Sequence, residues 1–219
     1  MKRLAVTAII LALAGAAWAQ EAPVTVNLEA EGGALKVLYH TYQVGTSGTA
    51  FDLVYDGGQE ILFPFQRFTV NVGLAERHLV RFLYQPLTVA TEIEVDESFI
   101  IDGTTFVSGE AVDIVYGFPF YRATYMYDFI DGPATLSAGA AIQLRNASIR
   151  FTTTDGSRRA VSQNLGIVPA VAVSGYLPFD NGLYAGFEAT GLWASSAIIN
   201  GADFEFEGSI LDASLRAGM

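Results

Sequence analysis

Tyr121-Arg122-Ala123-Thr124-Tyr125-Met126-Tyr127-Asp128-Phe129 alternates without a break. Tyr121, Ala123, Tyr125, Tyr127 and Phe129 fall on one face of an extended chain, and Arg122, Thr124, Met126 and Asp128 on the other. Successive side chains of a strand point to opposite faces, so this spacing predicts a β-strand with one apolar and one polar face. Asp131-Gly132-Pro133 follows with the Asp-Gly step of a tight turn. Beyond it, Leu136, Ala138, Ala140, Ile142 and Leu144 alternate with Ser137, Gly139, Ala141 and Gln143. The two segments read as an antiparallel hairpin.

The same period recurs outward along the chain. Phe68, Val70, Val72 and Leu74 oppose Arg67, Thr69, Asn71 and Gly73, and Leu211, Ala213, Leu215, Ala217 and Met219 oppose Asp212, Ser214, Arg216 and Gly218. Eight strands are expected near 28–41, 60–74, 77–94, 111–129, 134–152, 164–179, 183–196 and 205–219. Three connections are tight, at Ala75-Glu76, Asp131-Gly132-Pro133 and Asp180-Asn181-Gly182. Four are long, around Thr46-Ser47-Gly48, from Ser98 to Glu110, from Asp155 to Gln163, and at Asn200-Gly201. Short turns at one end and long loops at the other match an antiparallel up-and-down transmembrane β-barrel. Pro64, Pro86, Pro119 and Pro169 are expected at bulges or strand ends, because proline removes a ladder hydrogen bond. Near Arg145-Asn146, Ile149 and Phe151 leave the face held by Ile142 and Leu144, which predicts a bulge or an exit from the bilayer.

The N-terminus points to export. Lys2 and Arg3 precede an apolar run ending in Ala17-Trp18-Ala19, the pattern of a cleaved signal peptide over 1–19. One barrel domain over 20–219 remains. The chain is 51% hydrophobic and 16% charged, yet past the signal no 18-residue apolar run offers a membrane helix. Without Lys2 and Arg3, 10 basic residues face 23 acidic ones, a net charge of −13 that argues against nucleic acid. There is no Cys.

The polar faces carry small residues and isolated charges, which suits a narrow lumen filled by hydrogen-bonded side chains. Arg67, Arg122, Asp128, Glu188, Asp212 and Arg216 are expected to point into it. Two interfacial girdles are expected, from Phe129, Phe179 and Tyr184 near the tight turns and from Phe65, Tyr116, Phe118 and Trp193 near the long loops.

The stretch Arg77-His78-Leu79-Val80-Arg81-Phe82-Leu83-Tyr84-Gln85-Pro86-Leu87 resembles a motif of a family of uncharacterised bacterial outer-membrane β-barrel proteins. So do Phe120-Tyr121-Arg122-Ala123-Thr124-Tyr125, Leu144-Arg145-Asn146-Ala147-Ser148-Ile149 and Gly166-Ile167-Val168-Pro169. The resemblance implies the Gram-negative outer membrane, contact with its lipid and lipopolysaccharide, and passage by periplasmic chaperones and the barrel-assembly machinery. It implies no catalytic residue. Members of that family continue through another hairpin and end in an aromatic residue, so ten strands are expected if this chain is a fragment.

Chemistry is sparse. His40 and His78 have no His or Cys at metal-ligand spacing, so neither a metal nor a cofactor is expected. His78 reads as a turn residue. His40, with Ser47 or an acid, is the one candidate base. Asp96, Glu97, Asp102, Glu110 and Asp113 read as a solvated acidic loop without calcium-loop spacing. A structural or narrow-pore barrel is therefore expected, not an enzyme. The alternatives are a lipid-modifying barrel and a periplasmic lipocalin-like binder of apolar ligands.

Overall fold

A computed structural model describes residues 24–43, 46, 48–130, 132–195 and 207–219. The signal-peptide reading of 1–19, Ser47 and the Asn200-Gly201 connection lie outside the described residues. Among the described residues every regular element is a strand: β1 Val24–Lys36, β2 Thr41–Tyr42, β3 Phe51–Asp52, β4 Leu62–Leu74, β5 His78–Gln85, β6 Thr88–Glu94, β7 Phe99–Ile101, β8 Thr104–Phe106, β9 Ala111–Gly117, β10 Phe120–Ile130, β11 Thr135–Thr153, β12 Arg159–Pro178, β13 Tyr184–Ser195 and β14 Glu207–Gly218.

The main sheet is antiparallel throughout, in the order β1-β4-β5-β10-β11-β12-β13-β14. β6 continues β5 and β9 leads into β10. β6 pairs with β9, and β9 with the far half of β11, so eight ribbons follow one another as an up-and-down meander. Two expected strands, 77–94 and 111–129, are each split in two. The breaks fall at Pro86-Leu87 and Phe118-Pro119, which face each other, and the Phe118 N–H still bonds to the Leu87 carbonyl at 2.8 Å. Pro64 and Pro169 interrupt nothing. Each lies where its strand has a partner on one side only: Pro64 opposite Ala34, short of where β5 begins to pair, and Pro169 opposite Ile142, short of where β13 does. A missing N–H costs no ladder bond on a free side.

Ion pairs between distant strands show that the sheet is curled. Arg67 on β4 and Arg122 on β10 both reach Asp212 on β14, and Arg81 on β5 reaches Glu188 on β13. Backbone pairing of β14 with β1 is not formed among the described residues, and β1 and β14 are the free edges of the sheet. Gly139 is required by the close β10–β11 approach: a Cβ there would sit 1.9 Å from the Tyr125 carbonyl oxygen.

The long-loop end is folded. Phe51, Leu53, Val95, Phe99, Ile101, Phe106, Val112, Ile114, Ile149, Phe151 and Ala160 form an apolar core, with Phe106 and Phe151 fully buried. Phe99–Ile101 and Thr104–Phe106 make a hairpin on Asp102-Gly103, both with positive φ, 48° and 72°. Those left-handed values suit a two-residue turn whose twist matches its strands. The segment expected as a solvated acidic loop thus has an apolar inner side, while Asp96, Glu97 and Asp102 stay exposed. This core also accounts for Ile149 and Phe151. The β11–β12 register runs unbroken from Thr135 to Thr152, so no bulge exists there. The inner face of β11 passes from the polar interior to the apolar core, and residue type follows.

Candidate functional site

The concave face of the sheet gathers its charges. Burial alternates along β4 from Arg67 to Asn71 and along β10 from Phe120 to Met126, so Arg67, Thr69, Asn71, Arg122, Thr124 and Met126 are buried while Phe68, Val70, Tyr121 and Tyr125 are exposed. Small inner residues on β12, Ala170 and Ala172, leave room for the long side chains opposite.

The network has two layers. In the layer nearer the loop core, Asp212 accepts from Arg67 at 3.2 Å and from Arg122 at 2.9 Å. Arg67 Nε donates to Gln85 at 3.0 Å, and Arg122 donates twice to Gln143, at 3.1 and 3.0 Å. Phe65 and Phe120 lie against the guanidinium groups of Arg67 and Arg122, at 5.5 and 5.4 Å. In the layer nearer the tight turns, Arg216 donates to Glu29 at 3.1 Å and to Glu31 at 2.8 Å. Arg81 lies 2.5 Å from Glu188, and its Nε donates to Asn71, which donates in turn to Glu29. Asp128 accepts from the Ser137 hydroxyl. The residues around this second layer, among them Asp128, Ser174, Tyr176 and Tyr184, line a cavity of about 320 Å³.

Arg67, Arg122 and Asp212 are thus in direct contact. Arg216 joins Glu188 more loosely, at 3.9 Å, and Asp128 stands apart with Ser137. Glu29, Glu31, Arg81, Asn71, Gln85 and Gln143 belong to the same network and were not singled out by sequence reasoning. The signal for Arg81 was present: it alternates with Val80 and Phe82 as Arg122 does with Tyr121 and Ala123. Four Arg (67, 81, 122, 216) face five acids (29, 31, 128, 188, 212). Burying such groups is tolerable only because nearly all are paired and hydrogen-bonded.

The expected girdles are partly redirected. Phe129 and Phe179 are exposed beside the tight turns. Tyr184 instead turns inward, its ring over Gly218. Phe65 covers Arg67. Tyr116 packs against the loop core and stacks on Phe118. The Trp193 side chain is not described.

Both histidines are engaged away from the charged network. His40 Nδ1 donates to Gln59 Oε1 at 2.9 Å, and its ring meets Tyr116 edge-on at 4.5 Å. His78 is hydrogen-bonded through Nδ1 to the Tyr125 hydroxyl at 2.6 Å on the convex face. Among the described residues no group of three or more His, Asp or Glu is disposed to hold a metal ion. At the tip between β11 and β12, Asp155 is held down to about pKa 2, chiefly by the hydrogen bond from the Ser157 backbone N–H and then by the Thr153 and Ser157 hydroxyls.

The convex face is the reverse of the concave one. On β11 it shows Leu136, Ala138, Ala140, Ile142 and Leu144, and on β12 Leu177, Gly175, Val173, Val171, Pro169, Ile167 and Leu165, with no Asp, Glu, Lys or Arg among them. Leu215 is 89% exposed and Ile167 73%. Polar residues resume beyond these runs, at Asn146, Ser148 and Arg150 on β11 and at Gln163 on β12. No family model, curated protein or solved structure compared with the chain matches it.

Proposed function

We propose that the chain is a transmembrane β-barrel of the Gram-negative outer membrane, a structural or closed-pore wall protein whose lumen is filled by its own ion pairs. One observation carries this reading: charged side chains line the concave face while large apolar ones stand exposed on the convex face. In water that arrangement is unfavourable, since contiguous exposed apolar patches on soluble proteins rarely exceed a few hundred Å². In lipid it is the expected one.

The dimensions agree. The uncharged run from Leu177 to Leu165 covers twelve residue steps. At about 3.3 Å per step it is roughly 40 Å long, and a tilt of about 35–45° brings its height to about 28–33 Å. An apolar band of about 25 Å is what an outer-membrane barrel presents. The folded loop core then stands outside the bilayer, and the tight turns face the periplasm. Lipid and lipopolysaccharide are the partners of the convex face.

Membrane fractionation tests the location. The expressed protein sediments with outer membranes and resists carbonate extraction on this reading. Recovery in the soluble periplasmic fraction contradicts it.

A further inference from the structure

β1 and β14 are the free edges of the sheet, yet their side chains meet where Arg216 donates to both Glu29 and Glu31. The position of that meeting carries geometric information. Directly opposed residues, followed around the sheet from Val24, run through Leu74, His78, Tyr127, Ala138, Val173 and Ala189 to Ala213. Rolled up without offset, the sheet would return Ala213 to Val24. Arg216 lies three residues past Ala213, so its own line passes three residues before Val24. Glu29 and Glu31 lie five and seven residues after Val24. The edges therefore meet with an offset of eight residues at Glu29 and ten at Glu31.

That offset decides between a chance contact and a closure. Eight to ten residues at about 3.3 Å correspond to about 26–33 Å along the strands, and eight strands about 4.8 Å apart make a circuit of about 38 Å across them. The ratio is a strand tilt of about 35–40°, within the roughly 35–45° that closed barrels adopt. Parity narrows it further. Side chains alternate with period two, so an odd offset would bring the inward Arg216 beside the outward Ala30, and only even offsets keep all inner side chains inside.

We infer that β1 and β14 pair with each other, and that Arg216, seated between Glu29 and Glu31, is the clasp that sets their register at an offset of eight or ten. The occupant of each free edge is the other edge of the same chain. At ten, Gly33 stands opposite Ser214; at eight, Leu35 stands opposite Ile210. Lipid makes such pairing compulsory, because an unpaired edge leaves backbone N–H and C=O groups without partners. The inference rests on the proposed barrel, but the two fail separately: fractionation tests the membrane, and the seam is tested within the chain.

The absence of Cys makes the test clean. Full-length G33C/S214C and L35C/I210C variants, with V24C/A213C as the zero-offset control, are oxidised in isolated membranes or detergent micelles. They are then examined on non-reducing gels and by intact mass. Directly opposed residues of an antiparallel pair lie within disulfide reach. One of the first two variants is expected to form a within-chain disulfide in most molecules, and the control none. Cross-links only between chains would show that the edges pair with a second copy, and closure of the control alone would show a different register; either overturns the inference. Failure of both variants to cross-link also overturns it when the unmodified protein agrees. There, seam-facing β14 amides should exchange hydrogen on the order of a hundred-fold more slowly than an unstructured chain. Exchange at the unstructured rate means that the seam is open.

Discussion

Arg122 of β10 and Asp212 of β14 stand 2.9 Å apart although β11, β12 and β13 lie between their strands in the sheet. The same carboxylate holds Arg67 of β4 at 3.2 Å. Asp212 thus anchors guanidinium groups from two other strands of the curl, one of them on a residue only 3% exposed. Removing it leaves two buried cations with one shared partner gone.

Asp212→Ala is therefore expected to destabilise the folded protein by about 3–5 kcal/mol, the cost of stranding a buried ion-pair partner. Replacing Arg67, Arg122 and Asp212 together by Met, Met and Leu should cost much less, because no charge is then left unpaired. Urea unfolding in detergent, followed by the shift of the folded band on unheated gels, measures both. A triple variant weaker than the single one would show that the charges stabilise beyond their mutual compensation.

Phe151→Ala empties the centre of the loop core, where Phe51, Phe99 and Phe106 all meet its ring. A loss of about 3–5 kcal/mol is expected for a fully buried Phe. The loss should be local, since none of the described ion-paired residues belongs to this core. Limited proteolysis should cut between 46 and 58 and between 95 and 110 in the variant, with the strands below intact. Cleavage within β12 or β13 at the same rate would mean that the two halves unfold as one.

Much of the meander was legible because its signals are local. In 121–129, 136–144 and 211–219 a period of two is enough to assign faces, and Asp180-Asn181-Gly182 marks its turn by residue type. Pro86 and Pro119 marked where ribbons break; Pro64 and Pro169 did not, because a free neighbouring side is a property of the sheet and not of the segment. The loop core is assembled from Phe51, Phe99, Phe106 and Phe151, which no local pattern links, although Asp102-Gly103 carried the same hairpin signal as the other turns. Phe65 and Tyr116 were assigned to a girdle because an aromatic near a strand end suits either face. Height relative to the ion pairs and the core decided the matter. The pairs Arg216–Glu29 and Arg216–Glu31 join the first and last strands of the sheet and become visible only once every register between them is known.

Asp155 supplies a pH prediction. Its folded pKa, about 2, lies below the ordinary value of 3.8. A depressed carboxyl pKa stabilises the fold above the unfolded value, and that contribution fades as pH falls from about 4 through 2. In an NMR titration the Ser157 amide should report a midpoint near 2, and Asp155→Asn should remove the transition. A midpoint near 4 would show that the Ser157 and Thr153 hydrogen bonds do not hold the carboxylate.

If the proposed barrel is filled by Arg67, Arg122, Asp212 and their partners, planar bilayers containing the protein should show little or no conductance. Double replacement of Arg122 and Asp212 by Ala is the complementary case, and small steps are expected to appear. Large, stable steps from the unmodified protein would contradict a plugged interior.

The central claim is that the convex face meets lipid, and site-directed spin labelling tests it most directly. Because the chain lacks Cys, single nitroxides can be placed at Leu144, Val173, Phe187 and Leu215, with position 155 at the loop tip as the aqueous reference. In reconstituted bilayers the four convex labels are expected to collide readily with dissolved oxygen and scarcely with a polar nickel chelate, while the reference shows the opposite. Convex labels as accessible to the nickel chelate as position 155 would mean that this face is solvated, and the membrane reading would fall.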